Sequence, residues 1–248
     1  MRPRVLIVDA GRLGDEPARL DAARSHHLVR VLRLRPGDTL ECFDGRGARF
    51  EARLEHADPR GCTVRIGTHL PSDTESVLRI ALLQCVSSSE RMDWTIEKAV
   101  ELGVREIHPL LSAHSPQRLD GERAKRRHAH WQRLVEAACM QCGRDLLPRV
   151  HEVRPLESRL AQGTRPEDTT PLMLLPGAAD TLVDVALAGD RTIELLVGPE
   201  SGFAEREVRH ASDAGFRPVR LGPRTLRTET AGIAAIAAIQ VLAGDFRR

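Results

Sequence analysis

The sequence predicts an α/β fold: a mostly parallel sheet with covered faces, preceded by a small β-barrel domain. Three observations carry this. From residue 77 onward, short apolar runs alternate with amphipathic segments, the pattern of strands joined by crossover helices. Before residue 71 there are instead three alternating stretches parted by "DGRG" and "DPRG", where Gly and Asp supply hairpin turns. Between the two regimes, "PSDTES" at 71–76 is polar and contains Pro, which marks a linker. Domains over residues 1–70 and 77–248 follow.

With 248 residues, 41% of them hydrophobic, the chain can bury a sizeable core. Its longest early apolar run, "VLIV" at 5–8, is too short for a signal sequence or a membrane span of about 20 residues. A cytoplasmic protein without membrane association is expected. Five cysteines, an odd number, suit a reducing compartment better than a disulfide framework. Net charge is only +2, so no global field announces a polyanionic partner. Residues 1–70, however, carry 13 arginines against 10 acids, which favours an anionic partner near the front.

In order along the chain, "VLIV" reads as a strand. "RLDAARSHHLVRVLRL" then sets Leu20, Ala23, His27, Val31 and Leu34 at helical spacing, ended by "RPGD". Strands are expected in "TLECFDG", "ARFEARLEHAD" and "CTVRIGTHL". Beyond the linker, "VLRIALLQCV" is a strand and "SSSERMDWTIEKAVELG" a helix, with a capping box from Ser87 to Glu90 and a stop at Gly103. "EIHPLLS" is a strand and 122–142 a long helix. Strands "RVHEV", "LMLLP", "TIELLVG" and "PVRLG" follow, with a loop-like tract at 161–171.

Two of those strands run into similar loops, "LLVGPESGF" before a helix near Ala204 and "VRLGPRTLRTE" before one near Thr228. Ligands bind at the carboxyl ends of parallel strands, where glycines let backbone amides approach a cofactor. Neither loop is G-x-G-x-x-G or a P-loop, which disfavours NAD and nucleoside triphosphates. A cofactor held through base and sugar fits better. Thr228 reads as a helix N-cap, with Glu229 favourable to the dipole. Arg224 and Arg227 are unfavourable there, so either they pair with Glu229, Glu200 or another surface carboxylate, or they face an anion. From Thr230 to Gly244 there is no charge and many small residues, which implies a helix buried on most sides, suited to a dimer interface.

"CMQC" at 139–142 falls at a helix C-terminus, where the dipole opposes thiolate formation. His128 and His130 are too far back to complete a zinc site, so no metal is expected. His26 and His27 read as helix-face residues near Arg30 and Arg33.

Taken together, "HHLVRVLRLRPGD", "CFDGRG", "ERMDWTIEKAVELGVREIHPL", "WQRLVEAACMQCGRDLLPRV", "LLVGPESGF" and "LGPRTLRTETA" resemble the ribosomal RNA small subunit methyltransferase E family over nearly the whole chain. The resemblance implies a SPOUT-class, trefoil-knotted domain behind a PUA-like RNA-binding barrel. It implies S-adenosylmethionine as cofactor, N3 of a 16S rRNA uridine as target, and a homodimer. It also implies cofactor contacts from Leu175, Gly198, Pro199, Glu200, Gly202, Leu221, Gly222, Leu226 and Arg227. Catalytic roles fall to Arg4, Arg227 and Arg224, and RNA contacts to Arg4, Arg30 and Arg33, with 16S rRNA or the small ribosomal subunit as partner. Two positions depart from the family pattern. Ser201 stands where G-P-E-G-G is usual, which costs about 1–2 kcal/mol if that position needs positive φ. Met140 replaces a common Glu. Another RNA position, or a non-catalytic RNA-binding assembly factor, are the rival readings.

Overall fold

The computed structural model describes residues 2–8, 10–12, 16–116, 119–162, 165–185, 187 and 192–247. It divides into two compact units: Met1–Glu75 with Glu136–Leu147, and Ser76–Val135 with Pro148–Arg248. Within the 161–171 tract, Gly163 and Thr164 lie outside the described residues.

In the first unit the strands are β1 (Arg4–Leu6), β2 (Ala18–Arg19), β3 (Thr39–Phe43), β4 (Arg49–His56) and β5 (Thr63–Leu70), in spatial order β1-β3-β4-β5-β2. β1 lies parallel to β3, and the other pairs are antiparallel. Register shifts at Phe50/Ala52 and Leu54/His56 add local twist, and the sheet curls into a half-barrel. Its core is built from Val5, Leu28, Leu40, Leu54 and Val64. In "DGRG", the Asp44 carboxylate accepts from the backbone N–H groups of Arg46 and Ala48 at 2.7 and 2.9 Å, which leaves Gly45 and Gly47 to take positive φ.

The expected first helix is shorter than its apolar spacing implies. α1 covers Ala22–His26 and continues as one π-turn over His27–Val31. Leu20 precedes the N-cap Asp21, whose side chain accepts from Arg24 N–H at 2.8 Å. Arg33 ends the segment at φ +57, a left-handed stop.

The stretch at 71–75 is no free tether. Asp145 accepts from Ser72 Oγ at 2.6 Å, and Arg144 pairs with Glu75 at 2.7 Å. Asp145 is fully buried and also holds the Arg4 guanidinium. Residues 136–147 therefore belong with the first unit, a return that local composition does not announce.

The second unit alternates β6 (Arg79–Cys85), α2 (Ser89–Glu101), β7 (Glu106–Leu111), α3 (Gly121–Cys142, its last turns in the first unit), β8 (Arg149–Val150), β9 (Arg154–Pro155), α4 (Leu156–Leu160), β10 (Thr169–Leu174), β11 (Thr192–Val197), α5 (Glu205–Asp213), β12 (Arg217–Val219) and α6 (Thr228–Ala243). The all-parallel sheet runs β12-β10-β11-β6-β7-β8, with β9 also on β7. One face packs Ala81, Leu83, Leu110 and Leu196 against Leu156 of α4 and Ala211 of α5.

Two local expectations need correction. "RVHEV" yields only the two-residue β8, followed by β9. The N-cap of α2 is Ser88, not Ser87, and it makes no side-chain cap bond; the hydroxyl of Ser87 is buried without a hydrogen-bond partner among the described residues. Gly103 does end α2, at φ +84. By contrast, α6 is covered on most sides: Gly232, Ala235, Ile236, Ile239 and Gln240 are buried and the other residues of 231–240 are half-buried. Its Val241 is 55% exposed, near the exposed Leu242 and Phe246.

Candidate active site

β10 sits between β12 and β11, so the loops leaving the carboxyl ends of these three neighbours converge. They enclose a cleft of about 730 Å³, its open mouth included. Leu174 and Leu175 line it from the first loop, Gly198, Pro199, Glu200 and Gly202 from the second, and Leu221, Gly222, Arg224 and Leu226 from the third. The fold thus brings together Leu175, both Gly-Pro loops and Arg224, as the sequence predicts. Arg227 stands at the adjoining helix start, exposed and outside the lining. Arg4, Arg30 and Arg33 belong to the first unit.

Each loop has its own anchor. The first is tied to β12: Leu175 N–H donates to the Val219 carbonyl at 3.0 Å, and the Arg220 guanidinium donates to the carbonyls of Ala178 and Ala179. The second turns through a 3.0 Å bond from Gly202 N–H to the Pro199 carbonyl. Glu207 closes it, accepting from Ala204 N–H at 2.9 Å and Ala113 N–H at 2.7 Å. Positive φ falls on Gly202 (+75), not on Ser201, so the serine carries no left-handed strain. Added side-chain atoms at Gly202 or Gly222 would meet nothing within 4 Å, which leaves the backbone open to a ligand.

The third loop corrects the assignment of Thr228. Arg227 is the N-cap of α6 and Thr228 the first helical residue. Its hydroxyl accepts from Gln84 Nε2 at 3.0 Å and donates to the Gly198 carbonyl. One buried hydroxyl thereby joins β6, the second loop and α6. Gln84 is fully buried, so losing this partner would strand a buried donor.

Of the two readings of Arg224 and Arg227, pairing with Glu200 and Glu229 fails. Those carboxylates are taken by Arg91, at 3.2 and 3.5 Å, and Glu200 also accepts from Ser88 N–H at 3.0 Å. Among the described residues, neither Arg224 nor Arg227 makes an ion pair, and both are exposed at the cleft's edge. Two guanidinium groups beside the positive end of a helix raise the local potential, and such a place favours an anion.

Arg4 is held differently. Its side chain is 3% exposed, bonded to Asp145 and to the Arg144 carbonyl, and stacked over Phe43 at 4.9 Å. Arg30 and Arg33 are exposed. Burial pushes the Cys139 thiol of "CMQC" up to about 12, far from a reactive thiolate. What sequence reasoning missed is the set Glu106, His108 and His151, whose candidate ligand atoms lie within 4.8 Å of one another. Their separation along the chain hides them, and only the β7–β8 pairing brings them together.

The cleft suits a nucleoside. Apolar walls from Leu174, Val197, Leu221 and Leu226 suit a base, loop backbone can read its edge, and no lysine or P-loop waits for a triphosphate.

Comparisons with known proteins agree. Residues 74–240 match the RNA methyltransferase domain and residues 20–67 the RNA methyltransferase PUA domain. The ribosomal RNA small subunit methyltransferase E of Buchnera aphidicola subsp. Schizaphis graminum is 34% identical, over 91% of each chain. That of Mycobacterium bovis is 33% identical, over 90% of this chain and 86% of its own. Among solved structures, the ribosomal RNA small subunit methyltransferase E of Neisseria gonorrhoeae, bound to S-adenosyl methionine, is 37% identical with a TM-score of 0.90, covering 99% of this chain and 100% of its own. A putative methyltransferase of Legionella pneumophila in complex with the same cofactor is 32% identical, TM-score 0.92, covering 99% of both chains. With both domains matched in order and the similarity running the length of the chain, this protein belongs to the ribosomal RNA small subunit methyltransferase E family.

Proposed function

We propose that this chain is an S-adenosylmethionine-dependent methyltransferase of small-subunit rRNA, acting at N3 of a uridine. The observation that carries the reading is the cleft of three loops, apolar in its walls and open at its glycine backbones. Leu175, Gly198, Pro199, Glu200, Gly202, Leu221, Gly222 and Leu226 would hold the cofactor, with Arg227 beside them. When bound, the cofactor supplies an electrophilic methyl group on a sulfonium.

The protein's own part is to position the base and to stabilise negative charge. N3 of uridine must lose a proton before it can accept a methyl group, and the charge spreads onto the uracil oxygens. Arg224 and Arg227, permanently protonated and without carboxylate partners among the described residues, are suited to receive that charge but not the proton. Arg30 and Arg33 would hold RNA backbone. The trefoil threading of the loops and a homodimer belong to the same proposal. The exposed apolar residues at the end of α6 and just beyond it, Val241, Leu242 and Phe246, support the dimer.

Calorimetry with S-adenosylmethionine, followed by nucleoside mass spectrometry of treated small-subunit rRNA, tests the reading. The expected result is stoichiometric binding and 3-methyluridine. Binding with a different methylated nucleoside would move the reaction to another RNA position, and neither heat nor product would leave a non-catalytic RNA-binding factor.

For Arg4, the resemblance supports a catalytic role and burial supports a structural one. Arg4→Ala removes the main ion pair of the buried Asp145, leaving it Ser72 at 2.6 Å and Arg49 at 3.8 Å, and should cost about 1–3 kcal/mol, read as a lowered urea midpoint. Unchanged stability with lost turnover would place Arg4 in catalysis alone.

A further inference from the structure

A second concavity, of about 720 Å³ with its open mouth included, lies toward the amino ends of β11, β7 and β8. Register puts its floor on one face. Glu194 stands opposite Ala81, Ala81 opposite Glu106, Glu106 opposite Arg149, and Leu110 opposite Arg154. Alternate strand residues share a face, so His108 and Arg154 project beside Glu106, Arg149 and Glu194. Arg159 of α4 and Arg165 beyond it complete the lining.

The charges here do not balance. Four guanidinium groups line the pocket against one carboxylate, Glu194, which already binds Arg159 and, at 2.6 Å, Arg165. The neighbouring Glu106 is engaged by His151 at 2.6 Å and His108 at 3.4 Å. Arg149 and Arg154 are exposed, and neither has an ion-pair partner among the described residues. Gathered cations raise one another's energy unless an anion joins them. A metal ion is a poor occupant. The four arginines repel it, and the imidazoles of His108 and His151 are stacked at 3.8 Å and 12°, so their in-plane lone pairs run side by side rather than converging.

We propose that this pocket is a second seat for the substrate RNA, receiving a backbone phosphodiester between Arg149 and Arg154. The inference rests on the RNA-methyltransferase reading above. A polymer suits it better than a small free anion, because the two unpaired arginines sit on the outer strands β8 and β9 of an open groove. Among the described residues, no glycine-rich loop or long-helix N-terminus encloses a free phosphate there. From Glu194 to Gly198 is four residues, about 13 Å along β11, so changes here should leave the cofactor cleft alone.

The test is the affinity of the full-length protein for small-subunit rRNA, measured from about 50 to about 200 mM salt, in the parent and in the Arg149→Gln, Arg154→Gln double variant. Losing this one phosphate contact should lower the slope of log affinity against log salt by about 0.7 to 0.9, and weaken binding about five- to eight-fold at ~0.1 M salt. S-adenosylmethionine affinity should be unchanged in the variant, which checks folding as well. Parent-like affinity and slope in the variant would overturn the proposal. So would loss of inorganic-phosphate binding, read by phosphorus NMR, with RNA affinity intact; the pocket would then serve a free anion. If the parent itself binds rRNA without salt dependence, the RNA reading fails first and this proposal with it.

Discussion

The two ends of the parallel sheet use opposite chemistry. At the carboxyl ends of β12, β10 and β11, the cleft is apolar, and a neutral hydrogen-bonded centre at Thr228 and Gln84 joins its loops inside the outer anchors from Arg220 and Glu207. At the amino ends of β11, β7 and β8, the pocket is ringed by arginines and histidines and held by ion pairs on Glu194 and Glu106. Neutral hydrogen bonds keep geometry whatever the salt or pH, which suits a site that must place one methyl group. Ionic networks respond to both, which suits a surface that gathers a polyanion.

The comparison breaks most readily at Arg227. Arg227→Ala should lower methyl transfer about a hundred-fold or more, with S-adenosylmethionine affinity near the parent's in calorimetry. Equal turnover would remove it from the mechanism. Next comes Thr228→Val, which strands the buried Gln84 amide and frees the Gly198 carbonyl. We expect a loss of about 1 to 3 kcal/mol, read as weaker cofactor binding, unaffected by salt. A salt-dependent loss would show that the carboxyl end is not held as described.

The smallest effect is at the other end and depends on pH. Burial holds His108 below its ordinary value of 6.5, with His151 and Arg159 adding to the shift and Glu106 opposing it. The unfolded chain therefore takes up this proton first, and the stability contributed is present above about pH 6.5 and lost as pH falls below it. Hydrogen bonds from His108 and His151 hold Glu106 well below the usual carboxylate range; its contribution is lost only below about pH 4.5, so the two windows separate. Urea midpoints measured across pH should decline below about 6.5 in the parent, and less steeply in His108→Gln. Parallel profiles would exclude His108 as the source.

Much of this was legible in the sequence because it rests on local rules. Alternation against helical spacing located β6, α2, β7, β10 and β11 within a few residues, and Gly-Pro after two strands pointed to the cleft. Where the reading failed, a specific cap or a distant partner had intervened. Leu20 and Leu34 keep helical spacing, yet Asp21 caps between them and Arg33 stops the turn. Thr228 resembles an N-cap but is drawn into the helix because its hydroxyl serves Gly198 and Gln84. The Arg224 and Arg227 pairing failed because Arg91, more than a hundred positions earlier, had already taken both acids.

By itself the sequence determined the two-part layout, the strand and helix order, and the identity of the loops that meet at the cleft. Each follows from side-chain period and turn chemistry within a dozen residues. Only the tertiary structure decided that residues 136–147 return to the first unit, that Ser201 escapes the positive φ taken by Gly202, and that Arg149, Arg154, Arg159 and Arg165 share one pocket. Those outcomes depend on register and crossover between distant segments, and burial rewards such contacts without leaving a mark in the local pattern.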